Sequence, residues 1–446
     1  MLTVSVRDYG ARGDGVTDDT PALTAALLAC RDAGGGILRV PPGDYLTGIV
    51  QLYSHTTLLL EKGARLLGSP HLDAHLHGDA VGGILFACDA HHITVCGEGT
   101  IDGNAPHFFH ENELHSPHPD YDADRTYQGS DYGSPSPEHG PLKPKARPGN
   151  LIVFAGCSDV LIEGIRVTGA TYWTFHLADC EDVVIRHLRI ENDPRHPNND
   201  GIHLTTCRRA VVEDCVIHTG DDSIAVTGFR HHGGEKEIAL GLRDRHGECA
   251  DITIRRCDLS SRSSAIRIGY GQNPVRGVLI ENVVIHDTNR GICLCARQSP
   301  VSDVVIRRVK IQTQLFHGNW WGRAEPLHIT ALRFWDGPAL HTVKNVRIEH
   351  LEADSENGIH LFAEDSGAID NISLTDVTLA VRAGPLHDTW GGNLDLRPAA
   401  SRALAIHAGG NAPLWSHNVT HLTQTRVRYT LDASATGRFG QAAHRS

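Results

Sequence analysis

Two short segments carry acidic residues whose spacing suits acid–base chemistry, "NNDGIHLTTC" at 198–207 and "TGDDSIAVTG" at 219–228. Aligned on Ile202 and Ile224, they set Asp200 level with Asp222 and His203 level with Ala225. A fold that stacks these segments gathers Asp200, Asp221 and Asp222 into one patch. Carboxylates held that close repel one another when ionised, which raises the pKa of at least one and leaves it a proton to give. An acid that protonates a leaving oxygen, beside a carboxylate that activates water or attacks directly, is what cleavage of a glycosidic bond requires. Asp residues at strand ends also make Asx turns with no chemical role, a reading that suits Asp159 and Asp182 better than the acidic trio.

The elements that position these residues form a repeat. "DVLIEGIRV" from 159, "DVVIRHLRI" from 182, "AVVEDCVI" from 210, "DITIRRCDL" from 251, "GVLIENVVI" from 277, "DVVIRRVKI" from 303, "NVRIEHLEA" from 345 and "NISLTDVTL" from 371 are versions of one unit. Where no insertion intervenes the step is short, 23 residues from 159 to 182 and 26 from 251 to 277. Alternation such as Val160, Ile162, Ile165 and Val167 puts aliphatics on one face. A coil of short strands wound around a shared core buries that face, so the fold class is all-β, a right-handed parallel β-helix. Cys157, Cys180 and Cys207 each precede a repeat, and Cys215 and Cys257 occupy equivalent positions within one, which predicts a ladder of buried thiols rather than metal ligands.

Stacked coils turn equal phases into columns about 4.8 Å apart per step. With Phe175, Ile202, Ile224, Ile266, Ile292, Leu327 and Ile359 as anchors, the column two residues earlier reads Trp173, Asp200, Asp222, Ser264, Arg290, Glu325 and Asn357. The column one residue later reads His176, His203, Ala225, Arg267, Cys293, His328 and His360. His203, beside Asp200, is the histidine expected to touch substrate, with His176 and His328 as further candidates. Metal ligation by this column is not expected, because its histidines span several coils.

The solenoid is expected to be one domain over 1–446, capped over about residues 1–40 and closed irregularly over about 384–446. In the cap, "TDDTPALTAALLACRDAGGG" predicts a helix with Thr20 as N-cap, Pro21 as first helical residue, an apolar stripe of Leu23, Ala26, Leu27 and Cys30, and Gly34 as the stop. The formal charge of −12 argues against a nucleic-acid partner, and no run of eighteen apolar residues marks a membrane span. "MLTVSVRDYG" lacks the pattern of a secretory leader, which favours a cytoplasmic location, or a periplasmic or secreted one if a leader has been removed.

From "VRDYGARGDGVTDDTPALTAAL" through "GEGTIDGNA" and "RPGNLIVFAGCSDVLIEGIRVTGATYWTFHL" to "NNDGIH" and "TGDDSIAV", the chain resembles glycoside hydrolase family 28, the polygalacturonase-like pectin hydrolases. The resemblance covers about residues 4–296. It matches the family's Asn-Thr-Asp triplet to Asn198-Asn199-Asp200 and its Gly-Asp-Asp motif to Gly220-Asp221-Asp222. It implies that Asp221 is the general acid, that Asp200 and Asp222 position and deprotonate the attacking water with inversion, and that Asn198 binds substrate. Two segments depart from the family. Its Gly-His-Gly aligns with Ser263-Ser264-Ala265, and its Arg-Ile-Lys, which grips a uronate carboxylate, aligns with Cys293-Leu294-Cys295.

Arg267 and Arg290, with Arg297 nearby, are the replacements expected to hold a carboxylate, since a guanidinium can grip one with two parallel hydrogen bonds. Trp173, Trp320 and Trp321 are the candidate sugar platforms, with Glu325 in the acidic column. The insertions at 103–148 and around "HGNWWGRAEPLHI" are expected to wall the groove. The implied partner is a pectic or related α-linked carbohydrate, with a galacturonan-like, rhamnogalacturonan-like or rhamnosidic linkage and no metal or organic cofactor. A β-eliminating lyase that uses Ca²⁺, or a carbohydrate-binding β-helix without turnover, are the alternative readings.

Overall fold

The computed structural model describes residues 2–77, 80–115, 136–230, 245–318, 320–333, 339–387, 393–397, 406–408, 412–432, 435 and 443–445. Among these the repeats wind as a parallel β-helix with sheets of twelve and twenty-one strands. In the twelve-strand sheet spatial order follows chain order, so each strand lies on the one from the coil before it. Register pairs Phe175 with Ile202, Ile202 with Ile224, Ile224 with Ile266, Ile266 with Ile292 and Ile292 with Leu327. These are the anchors read from the sequence, and all are buried. One apolar cluster runs through the coils from Val6 to Ala435.

Each coil must bend, and the residues that open the repeats provide a corner. Asp159, Asp182, Arg209, Asp251, Asp303, Asn345 and Asn371 all adopt left-handed backbone, with φ between 50° and 59°. Asp and Asn tolerate that conformation because their short side chains hydrogen-bond locally. Here they also bond along the stack: Asn345 Nδ2 donates to Asp303 Oδ1 at 2.9 Å, and Asn371 Nδ2 to Asn345 Oδ1 at 2.8 Å. The cysteines follow the coils as expected. Cys157, Cys180, Cys207, Cys215, Cys249 and Cys257 are all free and buried, and thiols of neighbouring coils touch, Cys157 with Cys180 and Cys215 with Cys257.

The cap helix spans Thr20–Asp32 and buries Leu23, Ala26, Leu27 and Cys30, with Gly34 left-handed just beyond its end. Its start differs from the expected one. Asp19 is the N-cap and Thr20 is already helical, because the Thr20 hydroxyl donates to Asp18 Oδ1 at 2.5 Å and accepts from Gly48 N at 2.8 Å. Asp19 gives no side-chain cap either: its carboxylate accepts from the amides of Arg12 and Gly13 at 2.7 and 2.9 Å. At the far end, Val419–Leu431 pairs along Ile369–Val381 and forms the last coil of the larger sheet. Among the described residues no helix is long and apolar enough to cross a membrane.

Candidate active site

The anchors fix where the acids stand. Ile202 and Ile224 point inward from adjacent strands, and the backbone just before each leaves the sheet as a turn that carries its carboxylates. Gly201 N donates to Asp222 O at 2.9 Å and Thr174 N to Asp200 O at 2.7 Å, so the turns are stitched coil to coil. Asn199 sets the second turn: its Oδ1 accepts from Gly220 N at 2.7 Å and Asp221 N at 3.2 Å, and its Nδ2 donates to Asp193 O at 2.8 Å. From beneath, the hydroxyls of Thr219 and Ser261 donate to Asp221 O at 2.5 and 2.7 Å. The result brings one carboxylate oxygen each of Asp200, Asp221 and Asp222 within 4.8 Å of one another.

Arg267, one coil further on, enters the same space. Its Nε is hydrogen-bonded to Asp222 Oδ2, and its NH2 lies 3.8 Å from Asp200 Oδ2. Burial opposes the arginine's charge, but Asp222 and Asp200 outweigh it and hold the guanidinium firmly protonated. Burial, together with the charge of Asp222, pushes the Asp221 carboxyl up to about 7 despite Arg267. Burial and the two neighbouring aspartates likewise raise Asp200 well above the usual carboxylate range. A proton held at Asp221 near neutral pH is the arrangement a general acid needs.

These acids line a cavity of about 310 Å³ with Tyr172, Trp173, Asn198, Phe229, Ser263, Ser264, Arg267, Tyr270, Arg290 and Trp321. Of the residues expected from sequence, Asp200, Asp221, Asp222, Asn198, Arg267, Arg290, Trp173 and Trp321 therefore meet at one place. His203 does not reach it. Its ring is fully enclosed, tilted against Trp173 at 3.6 Å between centroids, with Nε2 3.1 Å from Thr227 Oγ1 and Nδ1 3.6 Å from Asp200 Oδ2. It stands behind Asp200, because the indole from the preceding coil covers the outward face of its strand. His176 is buried in the same way between Asn150 at 3.1 Å and Thr205 at 3.3 Å.

Trp320 is also buried, its carbonyl accepting from Arg397 at 3.0 Å, so only Trp321 of the pair faces the cavity. Arg397 lies 4.9 Å over the Trp321 ring and bonds Asp395, whose Oδ2 accepts from Gly322 N at 2.8 Å, so the chain's closing segment holds this wall. Glu325 and His328 lie outside the cavity, buried with His360 in a polar cluster further along the stack. His328 is kept neutral by burial and by Arg290. Arg297 is fully buried against Thr330 at 2.9 Å.

Sequence reasoning missed Asn199, Tyr172, Phe229 and Tyr270. Asn199 had a signal, since it sits inside the quoted triplet, whereas the aromatics come from irregular segments that no column records. The two departures from the family motif sit together here. Ser263 bonds Asp221 and Ser264 N donates to Asp222 Oδ1 at 3.1 Å, so backbone and hydroxyl donors occupy the aligned positions of the absent histidine. The Cys293 and Cys295 sulfurs stand 2.9 Å apart, with Cys293 Sγ 3.8 Å from Arg290. Burial would raise the Cys295 thiol, but Cys293, Arg297 and Arg290 bring it down to about 6. Of the walling insertions, 116–135 of the first and Asn319 of the second lie outside the described residues. In the first, Phe109–Leu114 pairs antiparallel with Leu142–Pro144 at its base.

Comparison with known proteins places the fold and the family. A probable polygalacturonase from Vitis vinifera is 26% identical over 80% of this chain and 72% of its own length. The chain spans 59% and 61% of the length of two further plant relatives. The fold is shared with an exopolygalacturonase from Thermotoga maritima, at TM-score 0.61 and 23% identity over 85% of this chain and 87% of that one. It is shared equally with a family 28 exopolygalacturonase from Yersinia enterocolitica, at TM-score 0.64 and 18% identity over 97% and 78%. The sequence model of glycosyl hydrolases family 28 matches residues 30–313, which contain all three aspartates and Arg267. The chain belongs to glycosyl hydrolases family 28, a family of glycosidic-bond hydrolases.

Proposed function

We propose that this protein hydrolyses an α-linked pectic glycan of the galacturonan type with inversion at the anomeric carbon. The observation that carries the reading is the trio of aspartates on an aromatic-walled cavity, one of them pushed up to about 7. Asp221 gives its proton to the glycosidic oxygen as that bond breaks. Asp222, ion-paired with Arg267, takes the proton of a water whose oxygen attacks the anomeric carbon, and Asp200 helps to orient that water. Sugar rings lie between Trp173, Tyr172 and Trp321, whose flat apolar faces suit stacking.

A uronate is favoured by the charge around Arg290. Arg290 lines the cavity, and although burial opposes its charge, Glu325 and Asp395 hold its guanidinium protonated there. The names of the polygalacturonase relatives point the same way. Wild type and Asp221→Asn are to be incubated with polygalacturonate, rhamnogalacturonan and rhamnosidic oligosaccharides, with the first-formed anomer followed by proton NMR. The expected result is release of inverted galacturonate ends by wild type and a fall of about 10²–10⁴-fold in the variant. Unsaturated ends would replace this reading with β-elimination, and binding without release would make the chain a lectin-like β-helix. The stereochemical arm is a sharp test, because carboxyl oxygens within 4.8 Å are closer than the ~6.5–9.5 Å spacing usual for inversion.

A further inference from the structure

On the opposite side of the Thr219–Asp222 turn lies a second cavity, of about 550 Å³, into which His218, Ser261, Arg262, His286 and Phe316 project. Three side chains from successive coils converge at its rim. His218 belongs to strand Val216–Thr219, Asp258 to Asp258–Ser261 and His286 to Val275–Thr288. Register sets Asp258 opposite Val216 and Val284, so both histidines are its diagonal neighbours on the outward face. Both imidazoles aim Nε2 at one carboxylate oxygen. Asp258 Oδ1 is 2.6 Å from His286 Nε2 and 3.6 Å from His218 Nε2, and the three atoms lie within 4.8 Å of one another. His218 Nε2 is enclosed and makes no hydrogen bond.

We propose that His218, Asp258 and His286 form a binding site for a first-row transition-metal dication of the Zn²⁺ class. Two imidazoles and one carboxylate are borderline donors that suit Zn²⁺, Cu²⁺ or Ni²⁺ and not Ca²⁺ or Mg²⁺. The surroundings can admit a cation. Asp287 Oδ2 lies 3.8 Å from the far nitrogen of His286, a further carboxylate close to the pair. Glu191 stands opposite His218 in register. Arg166 and Arg189 are both bound to Glu191, at 2.8 and 2.6 Å, and Arg262 in the cavity wall interacts with Asp287, so each of these guanidiniums has a carboxylate beside it. The ion would replace the proton that His286 shares with Asp258, and the cavity side leaves room for water to complete its coordination.

The test is calorimetric titration of the EDTA-stripped, dialysed full chain with Zn²⁺ alone, supported by the visible d–d spectrum of the Co²⁺ form. One equivalent should bind, unaffected by excess Ca²⁺, and His218→Ala or His286→Ala should each weaken binding about tenfold or more. Asp258→Asn, which keeps the size of the side chain, gives an independent answer if an alanine variant folds poorly. The proposal is overturned if wild type binds no Zn²⁺, or if the affinity survives these substitutions, which would put the ion elsewhere, for instance on the catalytic aspartates. Because the readout is binding, failure of the hydrolase reading would leave this result unchanged.

Discussion

Asp221 is held between two demands, since its proton serves the leaving group but its neighbours' charges make ionising it costly. The same shift therefore appears in rate and in stability. Hydrolysis should fall as pH rises through about 7, where Asp221 loses its proton, an outcome read from the pH profile of kcat/KM. For stability the folded carboxyl titrates above its unfolded value of ~3.9. Between about pH 4 and 7 the native state thus binds more protons than the unfolded chain, and stability declines as pH rises through that window. Asp221→Asn removes the penalty while keeping the oxygen that accepts from Asp222 N. It should raise the melting temperature at pH 8 and change it little at pH 4. Arg267→Met should act in the opposite sense at neutral pH, costing ~3–5 kcal/mol because it strands buried carboxylates. The positions of Asp200, Asp222 and Arg267 were legible in sequence because repeat phase fixes where a column residue stands, and that of Asp221 because it adjoins Asp222. His203 was misread because phase says nothing of what covers a side chain, and Trp173 from the coil before covers it.

Strands and corners carry the next level. Ile224 is fully buried between Ile202 and Ile266. An Asp there would bring an unpaired charge into the core and should unfold the protein under native conditions, at a cost above ~4 kcal/mol, seen as loss of the β-sheet circular dichroism signal. At the corners, Asn345→Val forces a β-branched residue into left-handed backbone and cuts the ladder from Asp303 to Asn371. A loss of ~2 kcal/mol in urea denaturation is expected, with catalysis intact. The corners were readable because Asp or Asn opens unit after unit in the same place. The helix start was not, because partners at residues 12, 13 and 48 occupy Asp19 and the Thr20 hydroxyl from beyond the reach of a local capping rule.

Across the whole molecule, one core runs through all the coils, and each strand rests on its neighbours fore and aft. Val419–Leu431, much of it exposed, has a single strand beside it among the described residues. Its amides should exchange with deuterium faster than those of Ile202–Thr205 and Ile224–Gly228, which are sandwiched on both sides. Overall architecture was the most legible feature of the chain, because a repeat states the same fact many times. The closing segment was the least, since Asp395 and Arg397 reach Trp321 from some 75 residues away without any periodic cue.

That the acids and Arg267 come from three consecutive coils has an engineering consequence. A duplicated turn grafted beyond residue 343, where strands pair in unbroken register, would lengthen the trough by about 4.8 Å. The cutting point would stay where it is, so the number of sugar units accommodated downstream becomes adjustable one turn at a time, independently of turnover.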